Sequence, residues 1–80
     1  MRYVYLLQSE SAQRERYVGA TSDLRQRLQD HNAGKSPHTS KYVPWKLVTY
    51  IAFSDEVKAD AFERYLKSGS GHAFAKNRLW

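Results

Sequence analysis

The 80-residue sequence contains no cysteine. That excludes a disulfide framework, a cysteine nucleophile and a thiolate zinc site. A reducing cytoplasm is then the simplest expected location. No apolar run approaches the roughly 20 residues that cross a bilayer, so no membrane partner is expected. The apolar opening Met1–Leu7 is short and is followed by no small-residue cleavage site, which argues against a signal peptide. His31, His38 and His72 lack metal-ligand spacing. No glycine-rich loop stands between a strand and a helix to cradle a phosphate, since Gly69-Ser70-Gly71 is short and follows a helix. Acidic residues are scarce: 8 Asp+Glu face 13 Lys+Arg, leaving a formal charge of +5.

A chain this long makes one domain, spanning residues 1–80. Its charge is unevenly placed. Arg25 to Lys46 holds five Lys or Arg against one Asp, and Arg64 to Trp80 holds four basic residues and no acidic one. Between them, Asp55, Glu56, Asp60 and Glu63 form an acidic island around Lys58. A basic domain with one acidic island suggests a polyanionic partner. Arg25, Lys35, Lys41, Lys67 and Lys76 are the candidate contacts. Aromatics make up 14% of the chain, enough for some to stack on bases as well as fill a core.

Arg2 to Leu7 alternates, with Tyr3, Tyr5 and Leu7 on one face and Val4 and Leu6 on the other, which predicts a strand. Arg16 to Ala20 predicts a second strand, paired with the first as a hairpin. Gly19 within it marks a bulge or a close backbone approach. Thr21 or Ser22 caps a helix carrying Leu24, Leu28 and His31 on one face, and Gly34 ends it. Lys35 to Pro44 reads as a loop, and Lys46 to Phe53 as a third strand. Ser54 caps a second helix with Ala59, Phe62 and Leu66 on its apolar stripe. Gly69-Ser70-Gly71 breaks it, and His72 to Arg78 forms a short third helix. The expected fold is α/β (α+β): a three-stranded, mainly antiparallel sheet flanked by helices, in the order β-β-α-β-α-α.

Some side chains sit awkwardly in a purely structural reading. Residues three or four apart share a helix face, so Glu63 places a carboxylate beside the apolar stripe of the second helix. Such a charge is costly unless it is paired or binds a metal. An ion pair to Arg27, or escape to solvent, would explain it structurally. Arg27 and His31 stand four apart at the edge of the first helix's core face, where an exposed basic flank is the plain explanation. Tyr5 and Tyr17 lie on adjacent strands and can project from one face, depending on register; two core tyrosines would look the same. Together, two phenols, a guanidinium, an imidazole and a carboxylate can converge where the hairpin meets the helices. Phosphodiester hydrolysis needs such parts: a cation on the non-bridging oxygens, a metal and a water-orienting base.

With these residues in place, the sequence resembles a GIY-YIG nuclease domain of the small stand-alone bacterial branch. Tyr3-Val4-Tyr5 stands at the family's Gly-Ile-Tyr and Tyr17-Val18-Gly19 at its Tyr-Ile-Gly. Tyr3 replaces the glycine, while Tyr5 keeps the tyrosine. Arg27 and His31 match the Arg-x-x-x-His pair of the first helix. Ala59, Glu63, Leu66 and Lys67 match the Ala-x-x-x-Glu-x-x-Leu-Lys of the second. The resemblance implies a divalent-metal DNA endonuclease, using Mg²⁺ or Mn²⁺ and linked to DNA repair, recombination or uptake. It makes Glu63 the metal ligand and Arg27 the clamp on the scissile phosphate. Tyr5 and Tyr17 would orient or activate water, with either as the base, and His31 would assist proton transfer. Asn77 stands where many members have a late asparagine, and His72 where one subgroup has a basic phosphate contact.

No helix-turn-helix or zinc finger is apparent to read sequence. The expected substrate is therefore single-stranded or branched DNA in preference to intact duplex, with Tyr42 and Trp45 as stacking groups for unpaired bases. Packing beneath the loop is the alternative for both rings. Two other functions remain open on the sequence: a catalytically silent nucleic-acid-binding module, and an interaction domain for an acidic protein.

Overall fold

Alternation in the first strand sends its side chains into two separate cores. The computed structural model describes residues Met1–Trp80. It contains β1 (Arg2–Ser9), β2 (Arg16–Thr21), α1 (Leu24–Asn32), β3 (Trp45–Phe53), α2 (Glu56–Leu66) and α3 (Gly69–Arg78), with a 3-10 turn at Ser40–Tyr42 before β3. The strands form one sheet in the order β2-β1-β3, and both pairings are antiparallel. The β-β-α-β-α-α order and the antiparallel sheet are those the sequence predicts.

Because β1 is the central strand, both of its faces are covered. Val4 and Leu6 are fully buried against Ala59, Leu66 and Ala75 of α2 and α3. Tyr5 and Leu7 are buried on the other face with Trp45, flanked by Leu24 and Leu28 of α1. Full burial of each aliphatic side chain contributes about 1.5–3 kcal/mol. The ladder shifts register between Leu6 and Leu7 where β1 meets β3. No such irregularity marks Gly19, whose role is a close approach.

The helix starts differ from expectation. Asp23, not Thr21 or Ser22, caps α1 by accepting from the Gln26 N–H at 3.1 Å. Thr21 still belongs to β2, opposite Tyr3, and its hydroxyl accepts from the Asp23 N–H. Asp55, not Ser54, caps α2 and accepts from the N–H groups of Val57 and Lys58. In both cases the carboxylate suits the positive helix end. Gly69-Ser70-Gly71 does not separate two elements. Ser68 caps α3, which begins at Gly69. Gly71 is buried at the corner, where the Tyr65 carbonyl of α2 leaves no room for a Cβ. The glycine therefore serves close packing of α3 on α2.

Gly34 ends α1 as expected, with φ of 77°. The loop after it is pinned rather than loose. The Asn32 side chain accepts from the Trp45 N–H and donates to the Trp45 carbonyl, fastening the end of α1 to the start of β3. Ser36 and Thr39 are both buried.

Candidate active site

The register places Tyr17 opposite Leu7 and Gly19 opposite Tyr5. With a side-chain period of two, Tyr5 and Tyr17 share the face that α1 covers. Their ring centroids lie 6.2 Å apart. The Tyr5 phenol runs over Gly19, where an added Cβ would stand 2.5 Å from its hydroxyl and 2.6 Å from Cζ. Gly19 is what allows the phenol to lie toward the β2 edge.

Arg27 and His31, one helical turn apart on α1, both reach the Tyr5 oxygen. His31 Nε2 is 2.9 Å from it and Arg27 Nε donates to it at 3.4 Å. The His31 imidazole is fully buried, and its Nδ1 lies 2.8 Å from the Thr39 hydroxyl. Tyr17 packs against the imidazole with a centroid separation of 4.9 Å. Arg27 can only donate, so the Tyr5 oxygen accepts from it, while the direction of the two His31 contacts depends on the imidazole tautomer. In the Nδ1–H tautomer, Tyr5 donates to Nε2 and Nδ1 donates to Thr39. That tautomer makes a directed chain of Arg27, Tyr5, His31 and Thr39, and it is the one the chemistry below requires.

Burial sets the charges in this chain. It pushes the Tyr5 phenol above its ordinary 10.0, opposed by the Arg27 hydrogen bond and reinforced by Tyr17 and the Glu63 carboxylate. Burial, with Arg27 next in weight, pushes His31 below its ordinary 6.5, while Asp30 acts against this. The hydrogen bond to Tyr5 holds Arg27 all the more firmly as a cation. At neutral pH the site therefore holds a neutral phenol, a neutral imidazole able to accept a proton, and a fixed positive charge.

Glu63 approaches from α2. Its partner is not Arg27 but Lys67, one turn on, at 2.5 Å. Lys67 Nζ also lies 5.9 Å above the Tyr17 ring, which joins the carboxylate to the phenols across the β2 edge. The carboxylate remains about one-fifth exposed. No group of three or more His, Asp or Glu converges to cage a metal, and both His31 nitrogens are engaged. A lone, accessible carboxylate suits a Mg²⁺-like cation, which keeps several waters and binds through one or two carboxylates plus substrate phosphate.

The other candidates divide. His72 joins Tyr17 and Lys67 in a groove beside the cluster. Lys76 is exposed one turn beyond His72 on α3. Arg25 lines a second groove with Tyr3, Leu28 and Tyr50. Lys41 is exposed, and Lys35 is exposed near Asp30 at 3.7 Å. Asn77 is exposed on α3 with no hydrogen bond to the cluster. Trp45 corrects an expectation: it is only 4% exposed, donates its indole N–H to the Thr39 carbonyl and offers no free face to a base. The indole is more useful bracing the loop that presents Thr39. Tyr42 is half-buried, edge-on to it.

Thr39 is the residue that sequence reasoning misses. It lies in a polar loop eight positions after His31, and no fixed spacing links the two. Only the folding of that loop back over α1 brings the hydroxyl to the imidazole. Trp80 carries no sequence signal either; the fold after α3 ties its backbone N–H to the Ala75 carbonyl.

Similar proteins carry comparable chains. A UPF0213 protein of Streptococcus pyogenes serotype M5 is 38% identical over 66 residues, covering 81% of this chain and 70% of that protein. The structure-specific endonuclease subunit SLX1 homolog of Giardia intestinalis is 34% identical over 65 residues, covering 76% of this chain but 18% of that larger protein. The solution structure of the UPF0213 protein BH0048 from Bacillus halodurans superposes with a TM-score of 0.57 at 27% identity, covering 99% of this chain and 87% of that one. Residues 1–77 match the GIY-YIG catalytic domain, and the chain belongs to that family of nuclease domains.

Proposed function

We propose that this protein is a divalent-metal-dependent DNA endonuclease that hydrolyses phosphodiester bonds in single-stranded or branched DNA. The observation that carries the reading is the Tyr5 hydroxyl, held at once by Arg27 and His31 and joined through Tyr17 and Lys67 to the accessible carboxylate of Glu63. A phenol wired to a neutral imidazole is a proton-transfer device, and the cation beside it suits a phosphate.

In this mechanism Arg27 binds the non-bridging oxygens of the scissile phosphate and neutralises charge as it develops. Tyr5 and Tyr17 orient the attacking water. As the water attacks phosphorus, its proton passes to the Tyr5 oxygen while the Tyr5 proton moves to His31 Nε2. Thr39 holds the ring in the accepting tautomer. Glu63 would hold Mg²⁺ or Mn²⁺, which when bound polarises the phosphoryl group and steadies the leaving oxygen. The P–O bond to the leaving oxygen breaks as the new one forms, the leaving oxygen takes a proton from solvent water, and the proton gained by His31 returns through Tyr5 to the hydroxide so formed as the site resets.

The positive charge supports a nucleic-acid substrate. Asp60 pairs with Arg2 and Glu63 with Lys67, and because each pair uses one charge of either sign the formal excess stays at +5. Likeness to a structure-specific endonuclease subunit supports branched or unpaired DNA of the kind met in repair, recombination or uptake. No helix is long and apolar enough to cross a membrane, and action in the cytoplasm is part of the proposal.

A binding-only reading draws on two observations: Tyr5 is 1% exposed and Glu63 already has an ionic partner. Matched single-stranded, duplex and branched oligonucleotides, incubated with and without Mg²⁺ or Mn²⁺, separate the two. Metal-dependent cutting that disappears in Glu63→Ala supports the nuclease. Retained binding with no cutting by the unaltered protein supports the silent module.

A further inference from the structure

Beside the cluster lies a groove of about 290 Å³, and of its lining residues the mechanism above uses only Tyr17. Arg16, Lys67 and His72 line it with cationic or N–H groups, Tyr17 and Trp80 supply rings, and no Asp or Glu side chain is among its lining residues. Two of these walls belong to the site itself, since Tyr17 packs on His31 and Lys67 pairs with Glu63. Whatever occupies the groove therefore touches the reacting centre.

Its far wall is built and held. The Trp80 N–H donates to the Ala75 carbonyl at 3.0 Å, and the preceding carbonyl, of Leu79, accepts from Thr49 on β3. The indole is half-buried against the core beneath α3. The Arg16 guanidinium lies over the ring, 4.8 Å from its centroid, and is exposed. Arg16 and His72 have no carboxylate partner. The groove thus offers a layered planar surface, two nitrogen-bearing side chains without a carboxylate partner, and a wall, Tyr17, shared with the catalytic cluster.

We propose that this groove is the subsite for one unpaired deoxynucleotide next to the scissile phosphate. Its base lies on the Arg16–Trp80 stack and its own phosphate meets His72 and Lys67. The volume lies just below the roughly 300–1,000 Å³ usual for small-molecule clefts, which suits a single nucleotide. Base stacking on aromatic and guanidinium planes needs an exposed base face, and a paired base within duplex hides both faces. The proposal rests on the nuclease reading and makes it more specific: the preference for unpaired DNA comes from Arg16 and Trp80, not from Trp45.

The test uses the full chain without metal. A fluorescein-labelled ten-nucleotide thymidine strand and a blunt hairpin duplex are titrated and followed by anisotropy. Trp80→Leu and Arg16→Gln should each weaken single-strand binding about tenfold and hairpin binding less than twofold. Arg16→Gln retains the apolar packing, so it remains informative where Trp80→Leu melts early. Equal losses on both DNA forms, or no loss on either in Arg16→Gln, overturn the subsite. Cleavage by the unaltered protein with Mn²⁺ is measured separately. Failure there removes the nuclease reading, whereas the anisotropy result alone decides the groove.

Discussion

Replacing Thr39 by valine removes one oxygen from the buried chain and almost no volume. Thr39 is 1% exposed, and its backbone is pinned by bonds to Ser36 and from the Trp45 indole. The new methyl must therefore occupy the hydroxyl's place, 2.8 Å from His31 Nδ1 in the parent structure. A fully buried imidazole cannot turn to water. The ring either leaves its Nδ1 proton unpartnered or moves that proton to Nε2, where it points at the Tyr5 oxygen. A buried group stripped of its partner costs about 1–3 kcal/mol. For a domain of this size each 1 kcal/mol lowers Tm by about 4–8 °C. The tautomer change also removes the acceptor for the Tyr5 proton, and general-base assistance of this kind is worth roughly 10²–10⁴ in rate. Thr39→Val should therefore lower Tm, lower kcat at least about tenfold with KM nearly unchanged, and move the histidine ¹⁵N signals away from the Nδ1–H pattern. Thr39→Ser should restore both rate and tautomer. Wild-type turnover in Thr39→Val, with Nδ1 still protonated, would refute the directed chain.

Other outcomes follow from the same geometry. Gly19→Ala drives a Cβ into the Tyr5 phenol; overpacking of this kind costs about 1–3 kcal/mol, and cutting should fall more than DNA binding in parallel kinetic and anisotropy measurements. Arg27→Lys keeps the charge but not the planar fork, so single-turnover rates should fall much further than affinity. Because the folded pKa of His31 is depressed, its contribution to stability is present above the unfolded value of 6.5 and is lost as pH falls through the folded value. Melting curves should therefore show Tm dropping on acidification below about pH 6.5, and the acid limb of cleavage should lie below that point. Trp45→Ala should lower Tm sharply, by the roughly 3–5 kcal/mol typical of a buried aromatic, without a selective loss of single-strand binding; such selectivity in a well-folded variant would restore Trp45 as a stacking group.

The local periodicities determined much of this protein. Alternation in Arg2–Leu7 gave the two-faced central strand, and the spacing of Leu24, Leu28 and His31 gave α1 and its core face. These signals are readable because each element buries one face at its own repeat. Spacing singled out Tyr5, Tyr17, Arg27, His31 and Glu63, but each also had a plain structural explanation, and it was the resemblance to the GIY-YIG family that assigned them roles as a set. Helix starts were less legible, because Ser22 and Asp23, or Ser54 and Asp55, are adjacent residues with similar capping chemistry. Tertiary structure alone decided what meets what. The strand register laid Tyr5 across Gly19, and the i+4 geometry of α2 gave Glu63 to Lys67 rather than to Arg27. Folding of the Lys35–Pro44 loop buried Trp45 and delivered Thr39 to His31, while docking of α3 brought Trp80 beneath Arg16. Apart from the Glu63–Lys67 pair, which is local to α2, these are contacts between segments separated in sequence, and no local repeat encodes them. They depend on where several packed faces come to rest together.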